Sequence, residues 1–351
     1  MVTLLHHITL PQHVIIGSGA ISSLSNIISS IKQRASIAII SGPHVWSKYS
    51  DTFISALDGV MDYNVFVAKS ASLDFANELA EEIKEYNPDI VIGFGGGKSI
   101  DLAKYVAFKN EKIMISVPTS PSHDGIVSPF VSLKGLNRPY SVKALTPYAI
   151  IADIEIIADA PHRLIKAGAG DLIAKLTAVR DWKLAHRLKG EYYGEYAAKL
   201  ALLSARHVIE YADKIGSGAK EAIRILVEGL VSSGVAMCIA GSTRPASGSE
   251  HLFSHALDLL YPGKALHGEQ VALGTIMMMY LHGGNWKQVK RTVERIGIPT
   301  RAKDYGIPDE VIIEALVMAH KIRPERYTIL GETGLTRKAA EEVARITGII
   351  G

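Results

Sequence analysis

The sequence contains a single cysteine, Cys238, among its 351 residues. One cysteine excludes an internal disulfide and any cysteine-rich metal site, and it is typical of a protein from a reducing compartment. The sequence also lacks a strong excess of either charge, since it has 38 basic and 35 acidic residues and a net charge of only +3. Since the basic residues are scattered rather than gathered into a stripe, we expect no nucleic-acid partner and no attraction to an anionic membrane.

Targeting and membrane signals are missing as well. The first residues, Met-Val-Thr-Leu-Leu-His-His, lack the basic region, apolar segment and small-residue cleavage site of a secretion signal. No stretch reads as continuously apolar over the roughly 20 residues that a spanning helix needs. We therefore expect a cytoplasmic protein that does not span a membrane, and we expect it to form a homo-oligomer.

The first part of the chain alternates apolar strands with helices. Hydrophobic residues make up 48% of the composition, enough for a large core and two domains. The apolar runs predict strands at 14–17, 36–42, 63–68, 90–94 and 112–117 and a last strand region over 149–161, with helices between them. Such alternation predicts an α/β domain with a mostly parallel, Rossmann-like sheet covered on both faces.

The second part is almost entirely helical by pattern, with helices expected over 171–188, 192–214, 221–238, 251–260 and 270–281. We therefore expect a dinucleotide-binding α/β domain over residues 1–155 and an all-helical domain for metal and substrate over residues 156–351. A cleft between two such domains is a common place for a site, so we expect the site there.

The run Val91-Ile-Gly-Phe-Gly95-Gly-Gly-Lys-Ser-Ile-Asp101 carries the first chemical signal. An apolar strand feeds Gly95, Gly96 and Gly97 and then a helix start, where open backbone amides and the helix dipole attract a phosphate. This predicts a nucleotide cofactor. The run is not the usual GxGxxG fingerprint, and the alternative interpretation is a tight strand-to-helix turn without a ligand.

Three segments of the helical half contain the side chains that a divalent metal prefers: Gly168-Ala-Gly-Asp171, Gly248-Ser-Glu-His251-Leu-Phe-Ser-His255 and Ala265-Leu-His267-Gly-Glu. Asp171, His251 and His267 would form an open site with three ligands, which is typical of catalytic rather than structural zinc. His255 follows His251 by four residues and would project from the same helix face. Each histidine taken alone is more often an ordinary surface or hydrogen-bonded residue than a metal ligand.

The loop Pro118-Thr-Ser-Pro-Ser-His-Asp124-Gly-Ile-Val-Ser128-Pro follows a predicted strand and is rich in hydroxyl groups. Loops at the carboxyl ends of strands are where open α/β sheets bind ligands. An ordinary polar turn has the same composition.

These segments together resemble the sn-glycerol-1-phosphate dehydrogenase family, the archaeal enzymes that make the glycerol phosphate backbone of ether lipids. The resemblance runs from about Pro11 to Leu330 and includes Arg244-Pro-Ala-Ser-Gly-Ser-Glu-His251-Leu-Phe-Ser-His255. The glycine run and the Asp-His-His trio are similar to those of the wider group of glycerol dehydrogenases, iron-containing alcohol dehydrogenases and dehydroquinate synthases. The loop around Asp124 and the segment around His251 resemble the glycerol-1-phosphate branch alone.

The resemblance implies NAD or NADP as cofactor, one zinc ion per subunit, and reduction of dihydroxyacetone phosphate to sn-glycerol 1-phosphate. It implies zinc binding by Asp171, His251 and His267, and substrate contacts from Asp124, Asp171 and His255. We expect His255 and Asp171 to be the catalytic residues. The cofactor would be bound by residues of the two loops: Gly95, Gly96, Gly97, Lys98, Ser99, Ile100, Asp101, Thr119, Ser120, Pro121, Ser122 and Ser128.

Several roles are our own inferences from the residues. His255 is a candidate for passing a proton to the developing alkoxide. Arg244, with Ser247 or Ser249, is a candidate for the substrate phosphate, although it could equally pair at the surface. Because no carboxylate follows the strand at 36–42, we expect NADP to be tolerated, and His44 or Lys48 could attract its 2′-phosphate.

Three alternatives remain open. The same glycines and metal trio would serve a dehydrogenase for glycerol or another small alcohol. A metal-dependent lyase of the dehydroquinate synthase kind also uses NAD and zinc. A nucleotide-binding protein without catalysis would lack the metal.

Overall fold

The protein is described by a computed structural model that covers residues 5–58, 62–135 and 139–351. It divides into two compact units, which we describe separately. The first comprises residues 1–120, 125–159 and 234–243, and the second comprises residues 121–124, 160–233 and 244–351.

The first unit is built on a sheet of six parallel strands in the order β1-β8-β5-β4-β2-β3. A separate antiparallel hairpin, β6-β7, was not predicted. The eight strands are β1 His13–Gly17, β2 Ser36–Ser41, β3 Asp62–Val67, β4 Ile90–Gly95, β5 Ile113–Pro118, β6 Phe130–Lys134, β7 Pro139–Lys143 and β8 Ala149–Asp153. The helices of this part of the chain are α1 Leu24–Ile31, α2 Pro43–Ala56, α3 Leu73–Tyr86, α4 Gly97–Lys109 and α5 Ile154–Ala158.

Both faces of the sheet are covered, as the unbroken apolar runs predict. Along β2, Ile37 and Ile39 belong to one buried cluster, whereas Ala38 and Ile40 belong to another on the opposite face. Successive side chains of a strand point to opposite faces, so a strand buried on both faces must be apolar at every position. The prediction of a mostly parallel α/β sheet is confirmed.

The last strand is shorter than predicted. The apolar run over 149–161 forms β8 only as far as Asp153 and then becomes helix α5. Asp153 is the reason, because its carboxylate accepts a hydrogen bond from Glu155 N and so caps the new helix. The same carboxylate accepts from Gly19 N and Ile21 N, which fixes the turn after β1.

The second unit is helical, as predicted. Its helices are α6 His162–Ile173, α7 Lys175–Lys189, α8 Glu195–Glu210, α9 Ala212–Ser217, α10 Lys220–Ala240, α11 Ser249–Leu260, α12 His267–Leu281, α13 Trp286–Ile296, α14 Asp309–Ile322 and α15 Arg337–Ile346. The last seven residues of α10 belong to the first unit. The single helix expected over 171–188 is in fact two, because α6 ends at Ile173 and α7 starts at Lys175.

Helix α10 corrects the expectation that no stretch is apolar enough to span a membrane. It is 21 residues long and contains an 18-residue window with a mean hydropathy of 1.7, so it passes that test. However, 61% of its apolar window is buried inside the protein, as in the core helix of a folded domain. The helix is therefore weak evidence for a membrane span.

Candidate active site

The glycine loop of the first unit joins β4 to α4. Gly95 has a φ of +153°, and a Cβ there would lie 2.6 Å from the Ser99 hydroxyl oxygen. Gly96 precedes α4 with no side chain capping the helix, which leaves the first amides of α4 open. A cradle that excludes side chains and presents free amides fits a pyrophosphate, which is the requirement of a dinucleotide.

The sheet topology adds a second argument for a ligand at this loop. β4 lies between β2 and β5, and the chain leaves β2 toward β3 but leaves β4 toward β5. Ligands of open α/β sheets bind at the carboxyl ends of strands at such a switch in direction. Gly42, which follows β2, has its amide nitrogen 4.0 Å from the Cβ position of Gly95, so the two loops are neighbours.

The other residues of the two predicted cofactor segments differ in accessibility. Ile100 is fully buried in the core, and the Asp101 carboxylate accepts from Ser132 N at 3.0 Å and lies 3.5 Å from Lys104 Nζ. Lys98 is at the surface, with its ammonium 3.4 Å from Lys69 O. The remaining predicted residues, Ser99, Thr119, Ser120, Pro121 and Ser128, are buried, and Ser122 is partly buried. Ile100 and Asp101 would thus contact the cofactor only through their backbone atoms.

The second unit brings Asp171, His251 and His267 together from three helices. One ligand atom from each lies within 4.8 Å of the other two. Asp171 is in the last turn of α6, His251 in the first turn of α11, and His267 is the first residue of α12. An ion with ligand bonds of about 2.0–2.2 Å would need only a small inward movement of these side chains. Among the residues that the structure describes, this group consists of one carboxylate and two imidazoles, a set that fits a catalytic divalent metal.

Glycines explain how the helices approach closely enough. A Cβ at Gly170 would collide with the carbonyl of Gly268, and a Cβ at Gly268 would collide with the carbonyl of Ala167. Helices α6 and α12 therefore meet backbone to backbone at these positions. The contact places Asp171, next to Gly170, beside His267, next to Gly268.

Glu250 orients the His251 ring. Its Oε1 lies 2.8 Å from Nδ1 of His251, which leaves Nε2 facing Asp171 Oδ1 at 3.5 Å. Glu250 is fully buried and also accepts from Thr177 Oγ1 at 2.7 Å and Gly248 N at 2.6 Å. A carboxylate that holds the far nitrogen of a histidine is typical of metal sites.

Lys175 is a residue of this site that the sequence analysis missed. Its side chain is fully buried, with Nζ 2.8 Å from Asp124 Oδ2 and 3.2 Å from Asp171 Oδ1. Asp124 is held further by Ser233 Oγ at 2.7 Å, and its own amide donates to Asp171 Oδ2. The spacing of four between Asp171 and Lys175 was the available signal, since residues four apart share a helix face.

The pKa values follow from these charges. Burial opposes ionisation of Asp171, but the Lys175 ammonium and the His251 ring outweigh it and lower the pKa of the carboxyl group. Burial also opposes charge on His251, yet Asp171 and Glu250 raise its pKa above 6.5. For His267, burial and the neighbouring His251 lower the pKa to about 3. Asp171 is therefore ionised and His267 is neutral at physiological pH, the states that a metal requires.

His255 lies beside the trio. Its ring centroid is 6.4 Å from that of His251 and 6.0 Å from that of His267. Burial, followed by the two other histidines, lowers its pKa well below 6.5. The ring is thus neutral at physiological pH, which differs from our assumption of an imidazole that titrates near neutrality.

Known proteins resemble this chain along its whole length. It is 68% identical to "Glycerol-1-phosphate dehydrogenase [NAD(P)+]" of Hyperthermus butylicus over 99% of this chain and 100% of that protein. It is 52% identical to the protein of that name from Aeropyrum pernix over the full length of both. The chain belongs to the glycerol-1-phosphate dehydrogenase family. The iron-containing alcohol dehydrogenase family model matches residues 15–161.

Solved structures show the same fold beyond this family. Glycerol dehydrogenase from Schizosaccharomyces pombe superposes with a TM-score of 0.82 at 20% identity over 98% of this chain and 91% of that one. A probable glycerol dehydrogenase from Sinorhizobium meliloti gives 0.80 at 20% identity, with 98% of both chains covered. The family therefore shares its architecture with glycerol dehydrogenases.

The structure does not favour our candidates for binding the substrate phosphate or the 2′-phosphate of NADP. The Arg244 guanidinium forms two hydrogen bonds with the Glu191 carboxylate and donates to Tyr327 O at 2.9 Å. The Ser249 hydroxyl donates to Asp181 Oδ2 at 2.6 Å. Lys48, suggested for the 2′-phosphate of NADP, lies 2.5 Å from Asp159 instead. Each of these groups already has a partner within its own unit.

Proposed function

We propose that this protein reduces dihydroxyacetone phosphate to sn-glycerol 1-phosphate with NADPH or NADH, to supply the backbone of ether lipids. The observation that carries the proposal is the 68% identity, over essentially full length, to a protein named glycerol-1-phosphate dehydrogenase. The open cluster of Asp171, His251 and His267 and the glycine cradle supply the chemistry that such a reaction needs. We also propose the α/β part over residues 1–155 as the cofactor domain and residues 156–351 as the metal and substrate domain.

We propose that Asp171, His251 and His267 hold one zinc ion per subunit. What zinc supplies, when bound, is positive charge against the alkoxide that develops as hydride reaches the ketone carbon. The protein's own contribution is an ionised Asp171, a His251 fixed in orientation by Glu250, and a neutral His267. We assign the nicotinamide dinucleotide to the residues of the two loops named above, with the pyrophosphate at Gly95 to Gly97.

The substrate would be placed by Asp124, Asp171 and His255. Asp124 is held by Lys175 and Ser233, so its carboxylate has a fixed position from which to accept a hydrogen bond from a substrate hydroxyl group. His255 is our candidate for the proton path. Because its ring is neutral, one ring nitrogen donates and the other accepts, so it can pass a proton by changing tautomer rather than by starting as a cation.

The decisive test is oxidation of NADPH and of NADH by the purified protein with dihydroxyacetone phosphate, with and without a chelator. We expect activity that the chelator abolishes and zinc restores, with sn-glycerol 1-phosphate as the product by chiral analysis. Equal activity with unphosphorylated dihydroxyacetone would support a glycerol dehydrogenase instead. We also expect a cytoplasmic homo-oligomer, which measurement of the mass in solution would test.

A further inference from the structure

Asp181 is a fully buried acidic residue for which the proposed chemistry has no use. It lies on α7, a helix that contributes none of the three predicted metal ligands. Its Oδ2 accepts hydrogen bonds from the Ser249 amide nitrogen at 2.7 Å and from the Ser249 hydroxyl at 2.6 Å. Burying a carboxylate costs much free energy unless it is well hydrogen-bonded, so these two bonds form a strong and specific contact.

The helix that carries His251 has no side chain to cap its own start. Gly248 occupies the N-cap position of α11, so no side-chain oxygen there can accept a hydrogen bond from the first turn. Asp181 supplies such an acceptor from α7, through the amide of Ser249, the first residue of α11. Because His251 is the third residue of α11, this cap acts on the turn that holds a predicted metal ligand.

Gly248 also permits the close approach on which the cap depends. A Cβ at this position would lie 2.6 Å from Asp181 Oδ2 and 2.8 Å from Ala178 Cα. Both distances are shorter than a real Cβ tolerates, so only glycine lets α11 begin this close to α7. The start of α11 therefore lacks a capping side chain of its own and receives the cap from the neighbouring helix.

Helix α7 holds the same turn at a second point. Thr177 lies four residues before Asp181, on the same face of α7, and donates from Oγ1 to Glu250 Oε2 at 2.7 Å. Glu250 Oε1 in turn lies 2.8 Å from Nδ1 of His251. Two side chains of α7 thus hold Ser249 and Glu250, the two residues that directly precede the ligand.

The other oxygen of Asp181 makes separate contacts. Oδ1 lies 3.0 Å from His282 Nε2 and accepts from Ile329 N at 2.7 Å. His282 directly follows α12, a helix of 15 residues that begins with His267. The two histidines are therefore about 22 Å apart along the helix, and the contact with His282 acts at the opposite end of α12 from its predicted metal ligand.

We propose that Asp181 is a positioning residue for the metal site, because it caps α11 from a neighbouring helix and so holds His251 beside Asp171 and His267. This inference rests on the proposed zinc site. The three side chains can share an ion only while the first turn of α11 is formed, since a frayed turn moves His251 away. Loss of the cap therefore lowers the fraction of the protein that is ready to bind zinc, and the apparent affinity falls by that fraction.

The experiment measures the zinc dissociation constant by competition with a chelator, at a temperature where every variant is folded. We expect Asp181→Asn to raise this constant by about 3- to 30-fold, the range for loss of a helix cap. Ser249→Ala keeps the carboxylate and removes one of its two donors on α11, so it should raise the constant by a smaller factor. Because both changes act on one contact, the factor for the double variant should be smaller than the product of the two single factors.

The control is His282→Ala, which removes a contact at Oδ1 and leaves Ser249 in place. We expect it to lower the melting temperature of the metal-free protein and to leave the zinc dissociation constant unchanged. A rise as large as that in Asp181→Asn would make Asp181 a general stabiliser and overturn the positioning role. Wild-type affinity in Ser249→Ala would overturn it as well, since Asp181 would then act on zinc only through its charge.

Two further outcomes are separable. If Asp181→Asn does not fold, Ser249→Ala decides by the same measurement, because it keeps the buried carboxylate and its other contacts. A wild-type protein that binds no zinc would instead overturn the proposed metal site itself.

Discussion

The ammonium group of Lys175 lies 2.8 Å from the carboxylate of Asp124, and the lysine side chain is fully buried. It also lies 3.2 Å from Asp171, so one cation is shared by a predicted substrate residue and a predicted metal ligand. Two carboxylates this close would repel each other without it, and one of them would take up a proton. Lys175 offsets this repulsion and, against the opposing effect of burial, lowers the pKa of Asp171, so that this carboxyl group is ionised before a metal binds.

Replacing Lys175 with Met tests this role. Removing one partner of a buried ion pair typically costs about 3–5 kcal/mol, so we expect a clear fall in the melting temperature of the metal-free protein. Zinc should then raise the melting temperature more in Lys175→Met than in wild type, because the ion supplies the missing positive charge beside Asp171. The control is Lys199→Met, which breaks an exposed pair with Glu195. Equal zinc-induced shifts in all three proteins would contradict the role.

Replacing Glu250 with Gln tests the orientation of His251. Loss of a carboxylate that holds a ligating histidine typically costs about 10- to 100-fold in metal affinity, so we expect zinc binding to weaken by that factor. Competition with a chelator of known affinity measures it. Glu228→Gln, at an exposed position on α10, should bind zinc as the wild type does. Unchanged affinity in Glu250→Gln would show that packing alone positions the ring.

Replacing His255 with Ala should slow turnover while zinc stays bound. General acid–base groups contribute about 10²- to 10⁴-fold, so a fall in kcat within that range is expected. Metal analysis of the purified variant provides the second measurement. Loss of zinc in proportion to activity would instead place His255 among the ligands.

Zinc affinity should depend on pH through His251. Its pKa is raised above 6.5, because Asp171 and Glu250 outweigh the effect of burial. A raised pKa means that the proton is held at higher pH and must leave before the metal binds, so affinity is lost as the pH falls through that value. His267, with a pKa of about 3, adds nothing in this range. We expect the zinc dissociation constant to increase up to about tenfold per pH unit below the His251 pKa. A constant affinity from about pH 8 to about pH 6 would contradict this.

Cofactor choice should respond to charge at the loop after β2. The chain continues Gly42-Pro43-His44 there, with no carboxylate to repel a 2′-phosphate. Because His44 is exposed, His44→Asp should leave the fold intact and lower kcat/KM for NADPH relative to NADH by about tenfold. Lys48→Ala should change this ratio little, since Lys48 pairs with Asp159. An unaltered ratio in His44→Asp would place the 2′-phosphate elsewhere.

Much of the fold could be predicted because its signals are local. The fully apolar runs around Ile39 and Ile92 specify strands buried on both faces, and turn residues mark their ends. The error in the last predicted strand also has a local cause, because a side chain that caps a helix can override a continuous apolar pattern. The apolar run after Ala149 was assigned to a strand throughout, although the capping carboxylate of Asp153 starts a helix there.

The sequence by itself determined the alternation of strands and helices, the glycine turn after β4 and the kinds of side chain available for a metal, because each depends on neighbours in the chain. Only the tertiary structure decided that Asp171, His251 and His267 meet, and that Arg244 is already paired with Glu191. It also decided that Glu250 holds His251 and that Lys175 pairs with Asp171. These contacts join residues distant in the chain, and they depend on backbone approaches such as that of Gly170 to Gly268. No local pattern encodes which helices come that close, since packing of the whole core selects them.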